Sequence, residues 1–259
     1  MYDIVYFSPT GNTKYLAEHL ALNLGVKPEY LYPLEFIKNE SLDAANQLVL
    51  MYSIHGFNAP RTVKRFVKNL PVSQGNVSLL SVGCNNIWVN DAVSRDLKKQ
   101  FVRKGYQIIV DEVIAMPLTF VMDFPKETKE TLVADGEKMM VEISQKIKHN
   151  VISERTIKFK SKAINLVGKL EDPAARLFGL ELHAKKSCIS CGICWNNCPE
   201  HNIKPNKKDK PTFGLSCMMC MRCIYECPEN AITPYISKFL LIKNGYKMSP
   251  ENIENQKDG

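Results

Sequence analysis

The 259 residues contain no apolar run approaching the roughly 20 needed to span a bilayer, so no membrane span is expected. No G-x-G-x-x-G follows a strand-like stretch, which argues against direct use of a pyridine nucleotide. No G-x-x-x-x-G-K-[ST] occurs either, so there is no Walker loop. The basic excess comes without a recognised nucleic-acid motif, and no nucleic-acid partner is expected. No secretory signal opens the chain, which starts on the apolar stretch Tyr2–Phe7. A reducing cytoplasm is the expected compartment, and disulfides are not.

Cysteine, by contrast, is plentiful and ordered. Eight of the nine lie in two copies of one spacing. Cys188, Cys191, Cys194 and Cys198 precede Pro199, and Cys217, Cys220, Cys223 and Cys227 precede Pro228, so every cysteine of the first run has a counterpart at one constant offset. That C-x-x-C-x-x-C-x-x-x-C-P run is the bacterial-type ligand spacing for [4Fe–4S] clusters. Two zinc sites would need four ligands each, but zinc gives no reason for the third C-x-x-C step or the closing C-x-x-x-C-P. Two [4Fe–4S] clusters are the cofactors expected.

The repeat resembles a two-cluster bacterial ferredoxin over about residues 185–235. The resemblance implies that the fourth cysteine of each run ligates the other cluster. One cluster would then take Cys188, Cys191, Cys194 and Cys227, and the other Cys217, Cys220, Cys223 and Cys198. Ile189, Ile193, Ile203, Ile224 and Ile232 are expected to form a dry shell around them.

The chain is too long for that module alone, and its length suggests about two domains. Residues 1–150 carry 17 basic and 16 acidic residues, while residues 151–259 carry 17 and 11, so most of the formal +7 charge sits in the second part. A basic electron-transfer module suggests a redox partner with an acidic docking surface. In the first part, strand-like text (2–7, 47–52, 77–83, 107–115, and more weakly 29–32) alternates with helical text (12–24, 60–70, 91–104, 126–148). Such alternation predicts an α/β fold with a doubly wound parallel sheet.

The loop after the first strand is Ser8-Pro9-Thr10-Gly11-Asn12-Thr13. Hydroxyls, a permissive glycine and a helix N-terminus can bind a phosphate without a lysine. An ordinary capped turn would look the same. Ser8-x-Thr10-Gly11-x-Thr13 after an N-terminal strand resembles the phosphate loop of flavodoxins. Together with the downstream cysteine runs, the chain resembles the flavodoxin–ferredoxin fusions of anaerobic bacteria and archaea. The resemblance implies a five-stranded parallel sheet, bound flavin mononucleotide (FMN), and a smaller α+β two-cluster ferredoxin domain. The implied layout is a flavodoxin-like FMN domain at 1–150, a helical linker at 151–184, the ferredoxin domain at 185–236 and a tail at 237–259.

By position in that family, Ile54, His55, Gly56, Phe57 and Asn58 flank one side of the flavin ring. Cys84, Asn85, Asn86 and Trp88 flank the other. Phe57 or Trp88 could stack on the ring; equally, Phe57 could staple its loop to the next helix and Trp88 could be core. Cys84 reads as a buried small side chain rather than a redox thiol. Two features depart from the family: no tyrosine lies between residues 83 and 105, and this domain is nearly neutral where flavodoxins are acidic.

In the linker, Ile157 and Phe159 among lysines 158, 160 and 162 read as an edge strand or extended segment. Residues 163–182 read as helical with a break near Pro173, either packing between modules or forming a lid. Three functions follow in order of preference. The first is an iron–sulfur flavoprotein for electron transfer. The second is an FMN-dependent reductase of a small organic substrate, using His55, Asn58, Asn85 and Asn86. The third is a redox or docking module without flavin.

Overall fold

The computed structural model describes residues 1–37, 42–43, 45–84, 88–242, 246 and 248. They form two compact units, residues 1–117 with 125–169 and residues 118–124 with 170–259.

The first unit is built on β1 (Tyr2–Phe7), β2 (Leu31–Pro33), β3 (Gln47–Ser53), β4 (Asn76–Gly83), β5 (Gln107–Ala115) and β6 (Ser153–Glu154). They form one sheet in the order β2-β1-β3-β4-β5-β6, and every neighbouring pair is parallel. The first five strands follow the flavodoxin-like order 2-1-3-4-5. Central strands covered on both faces must be apolar throughout. Accordingly Ile4, Val5, Leu50, Met51, Leu79, Leu80, Ile109 and Val110 are buried. The helices are α1 (Asn12–Leu24), α2 (Arg61–Asn69), α3 (Arg95–Arg103) and α4 (Lys126–Lys148). Leu16 and Leu20 of α1 and Met140, Ile143 and Ile147 of α4 are buried at helical spacing.

Among the described residues six strands, not five, make the sheet. The sixth is a single pair of residues held by side chains from elsewhere. The Lys98 ammonium of α3 lies 3.1 Å from Asp111 on β5 and 2.5 Å from Glu154 on β6. Lys146 of α4 donates to Glu112 and to Ser153. Asp111 is buried, and burial pushes its carboxyl up while Lys98 pulls it back. Removing one member of a buried pair costs about 3–5 kcal/mol. Lys98→Met is therefore expected to lower the thermal midpoint by several degrees, and adding Asp111→Asn should restore part of the loss. Calorimetry of the three proteins checks this. An unchanged midpoint in Lys98→Met would show that the pair adds nothing to stability.

The stretch expected as an edge strand near residue 159 is a helix instead, α5 (Phe159–Val167). A 3-10 turn, Gly168–Leu170, separates it from α6 (Glu171–Glu181). The break thus falls before Pro173. Proline is tolerated in the first turn of a helix, where no i–4 carbonyl awaits its missing N–H.

The second unit repeats itself. Its first half is β7 (Leu182–Ala184), α7 (Ile193–Asn196) and β8 (Ile203–Pro205), and its second half is β9 (Pro211–Phe213), α8 (Arg222–Tyr225) and β10 (Ile232–Pro234). Each element of the second half follows its counterpart at the same offset as the cysteine runs. The strands pair across the halves, β7 with β10 and β8 with β9, both antiparallel. Even the left-handed residues recur at that offset: Ser190 and Met219, Gly192 and Met221, His201 and Asn230. Among the described residues no helix is long and apolar enough to cross a membrane.

Candidate functional site

In the second unit each Cys-Pro turns the chain. His201 N–H donates to the Cys198 carbonyl and Asn230 N–H to the Cys227 carbonyl, both at 3.0 Å. Two residues of these turns point backbone N–H groups at sulfur. Asn202 donates to Cys198 Sγ and Ala231 to Cys227 Sγ, each at 3.3 Å. Such bonds stabilise negative charge on a ligating sulfur.

The sulfurs gather around two cavities. One is lined by Cys188, Cys191, Cys194 and Cys227, with Ile189, Ile193, Trp195 and Ile232. The other is lined by Cys217, Cys220, Cys223 and Cys198, with Ile203, Ile224, Phe178 and three methionines. In both, the fourth cysteine comes from the opposite run. The cross-paired strands do this, because each places the end of one half beside the start of the other. The five isoleucines expected around the clusters divide between the two cavities. Among the described residues no three His, Cys, Asp or Glu side chains converge as for a single metal ion. The sulfurs line cavity walls instead.

Burial first, and neighbouring cysteines after it, push the Cys194 thiol up to about 11 and the Cys220 thiol up to about 12, against backbone hydrogen bonds and, at Cys220, the Arg222 charge. Four thiolates per cavity therefore need a strongly positive group between them. A four-thiolate donor set of this softness fits an iron–sulfur cluster. Cys191 is exposed, and the other seven are half-buried.

Two features here escaped the sequence reading. Helix α6 backs the second cavity so closely that a Cβ on Gly179 would lie 2.3 Å from that of Cys217. Arg222 also lines this cavity, only 8% exposed, and donates to the Asn197 carbonyl. Its counterpart in the first half is Ile193, so the asymmetry was visible as a break in the repeat.

In the first unit the loops after β1, β3 and β4 share the carboxyl edge of the sheet, next to the switch in strand order. Gly11 has φ 104°, a conformation that favours glycine, and opens α1. Lys14 N–H donates to Ser8 Oγ at 2.9 Å, which folds the loop over the helix start. Asn12 Nδ2 donates to the Pro117 carbonyl, so this side chain braces the loop. Thr13 is 1% exposed and its hydroxyl has no hydrogen-bond partner among the described residues. A buried hydroxyl without a partner is costly and fits a site that expects an oxygen-rich ligand.

The second loop is tightly folded. His55 and Asn58 form an isolated bridge, with Gly56 and Phe57 at positive φ between them. His55 Nε2 lies 3.2 Å from Ser53 Oγ. Ile54 packs on Gly83, where a Cβ would lie 2.9 Å from its Cδ1. Phe57 and Trp88 are each 40% exposed. Trp88 is therefore not a core residue. Cys84 is half-buried. Asn85 and Asn86 lie outside the described residues.

Helix α5 engages both loops. Asn165 Nδ2 donates to the Phe57 carbonyl and to Asn58 Oδ1, and Asn58 Nδ2 donates to the Asn165 carbonyl. Ser161 Oγ donates to the Trp88 carbonyl. A Cβ on Gly168 would overlap the Gly56 carbonyl. None of Ser161, Asn165 and Gly168 was singled out from the sequence. Polar residues four apart within an apolar stretch were the available signal.

Comparison with known proteins bears on the second unit. The family model described as a 4Fe-4S dicluster domain matches residues 178–232. No curated protein matches the chain. Similar solved structures include a flavodoxin from the domain Archaea, at 12% identity and TM-score 0.39, covering 57% of this chain and 100% of that one. A Streptococcus pneumonia TIGR4 flavodoxin has 19% identity and TM-score 0.37, covering 54% and 98%. An NADH:FMN oxidoreductase in its apo form has 12% identity and TM-score 0.40, covering 62% and 94%. At these scores the fold of the first unit rests on its own strand order. The chain joins a parallel sheet, whose first five strands run in the order 2-1-3-4-5, to a segment that matches a 4Fe–4S dicluster domain.

Proposed function

We propose that this protein is an electron-transfer iron–sulfur flavoprotein that exchanges single electrons with an external redox partner. The observation that carries the reading is the pair of four-cysteine cavities in one small unit, joined in sequence to a sheet whose first loop suits a phosphate. The cofactors are two [4Fe–4S] clusters and FMN; clusters carry one electron and flavin one or two, so the set couples the two kinds of chemistry.

Each part of the chain has a defined task. Cys188, Cys191, Cys194 and Cys227 hold one cluster, and Cys217, Cys220, Cys223 and Cys198 hold the other. Isoleucine, methionine and phenylalanine side chains keep water from the sulfurs, and the Asn202 and Ala231 N–H groups take up part of the sulfur charge. Ser8, Thr10, Gly11, Asn12 and Thr13 form the phosphate end. The loops at 54–58 and 84–88 form the ring end. There Asn165 holds the Phe57 carbonyl and the Asn58 side chain, and Ser161 holds the Trp88 carbonyl, which limits reorganisation at these residues when charge arrives. The reductase reading loses support from the same contacts, because Asn58 is bonded to α5 and His55 to Ser53.

Stopped-flow reduction of anaerobically purified protein tests this. With a low-potential donor, cluster and flavin absorbance should both fall, the flavin in a phase independent of protein concentration. Thr13→Val, which removes the buried hydroxyl but keeps the shape, should weaken FMN binding by at least about tenfold, since one hydrogen bond to a charged group contributes about 1.5–3 kcal/mol. Its cluster reduction should be unaffected. A flavin that stays oxidised while the clusters cycle would overturn the proposal.

A further inference from the structure

The β8–β9 hairpin is where the second unit carries its most concentrated charge. Between residues 204 and 210 there are four lysines, Lys204, Lys207, Lys208 and Lys210, against one aspartate, Asp209. The turn is built rather than loose. Asn206 Oδ1 accepts from the N–H groups of Lys208 at 2.8 Å and Lys210 at 3.1 Å, and Asn206 N–H donates to the Lys210 carbonyl at 2.8 Å. Lys204, Lys207 and Lys208 are exposed.

The fourth lysine ties this hairpin to one cavity. Lys210 Nζ donates to the carbonyl of Cys188, and the neighbouring Pro211 lines the same cavity. Its rim reaches solvent, since Cys191 is the one exposed cysteine and Ile189 is 60% exposed. Glu229 is the carboxylate among its lining residues and does not offset four lysines. The other cavity is backed by α6, with Gly179 against Cys217.

We infer that the β8–β9 hairpin and the rim around Cys191 are the docking face for an acidic one-electron carrier protein, and that electrons cross through the cluster held by Cys188, Cys191, Cys194 and Cys227. This rests on the electron-transfer function proposed above. The step moves one electron, so the carrier is oxidised by one unit and the cluster reduced by one, with no bond or proton exchanged. A fixed patch of positive charge speeds encounter with an acidic face by roughly 10- to 1000-fold at low ionic strength. The apolar rim at Ile189 then lets the surfaces approach without trapped charge.

The test uses full-length, cluster-loaded protein in anaerobic stopped flow. The probe is a reduced plant-type ferredoxin, which has an acidic surface, compared with reduced methyl viologen, a small cation. The triple change Lys204→Glu, Lys207→Glu and Lys208→Glu is set against Lys99→Glu, Lys138→Glu and Lys148→Glu. The second triple makes the same change in net charge on helix positions of the first unit. The hairpin triple should lose at least tenfold in second-order rate with the ferredoxin at low salt. The difference should shrink towards 1 M salt, where screening falls to about 3 Å. With methyl viologen its rate should equal or exceed the parent's. Equal losses in both triples, or none in the hairpin triple, would overturn the docking face. A parent protein whose clusters neither donor reduces would overturn the electron-transfer function itself.

Discussion

Paired alanine replacements should split the iron content in a way that reads out ligation directly. Cys198→Ala with Cys217→Ala should leave about four irons per chain, and Cys198→Ala with Cys188→Ala should leave almost none. The first pair removes two walls of one cavity and leaves the other whole. The second pair damages both. If each run held its own cluster, the two results would be exchanged, since Cys188 and Cys198 belong to the same run. The cause is topological. β7 pairs with β10 and β8 with β9, so the last cysteine of each half is delivered to the other half. Cluster binding also supplies folding energy, so the variants should melt earlier. Circular dichroism checks that loss of iron is not loss of fold.

The second large effect concerns Arg222. Its guanidinium is almost buried beside the cavity of Cys198, Cys217, Cys220 and Cys223, and it pulls against the upward shift that burial imposes on Cys220. A positive charge that is poorly screened favours the reduced, more negative cluster. Arg222→Ile copies the residue at the matching position of the first half, Ile193. It should lower the midpoint potential of that cluster by at least a tenfold change in the reduction equilibrium, about 59 mV for one electron. The other cluster should hardly move, although Lys210 sits near it, because Lys210 is unchanged and only half-buried. Glu200 also lines the Arg222 cavity, and Glu229 the other, so the carboxylates match and the arginine does not. Potentiometry followed by electron paramagnetic resonance measures both midpoints. Equal movement of the two would show that Arg222 acts on the whole unit rather than on one cluster.

The cysteine runs were legible because their spacing is itself chemistry, and their constant offset foretold a structural repeat. Much of the backbone that realises it was not. Gly192 announces a left-handed residue, but its counterpart Met221 does not, nor do Ser190 and Met219. Those conformations follow from wrapping a chain around a cavity. In the first unit, periodicity placed five strands and four helices, with edges moving by a few positions. The sixth strand could not be read, because so short a segment carries no pattern and Lys98 and Lys146 reach it from distant helices. The start of helix α5, residues 159–162, departs from its edge-strand reading for a clearer reason. The buried residues of the helix are Ser161 and Asn165, so its inward face is polar and the usual apolar stripe is missing. It meets loop carbonyls, and a carbonyl asks for a donor. The loop at 8–13 stands out as a phosphate-loop candidate by its residue types. The bracing of its neighbours by Asn165 does not stand out, because the partners lie far apart along the chain.

The central claim is that one chain carries both kinds of redox centre, and composition after anaerobic purification tests it most directly. Iron by colorimetry and flavin by extraction and chromatography should give about eight irons and one FMN per chain. Full iron with no flavin, even after incubation with FMN, would contradict it and leave a dicluster ferredoxin attached to a flavodoxin-like scaffold.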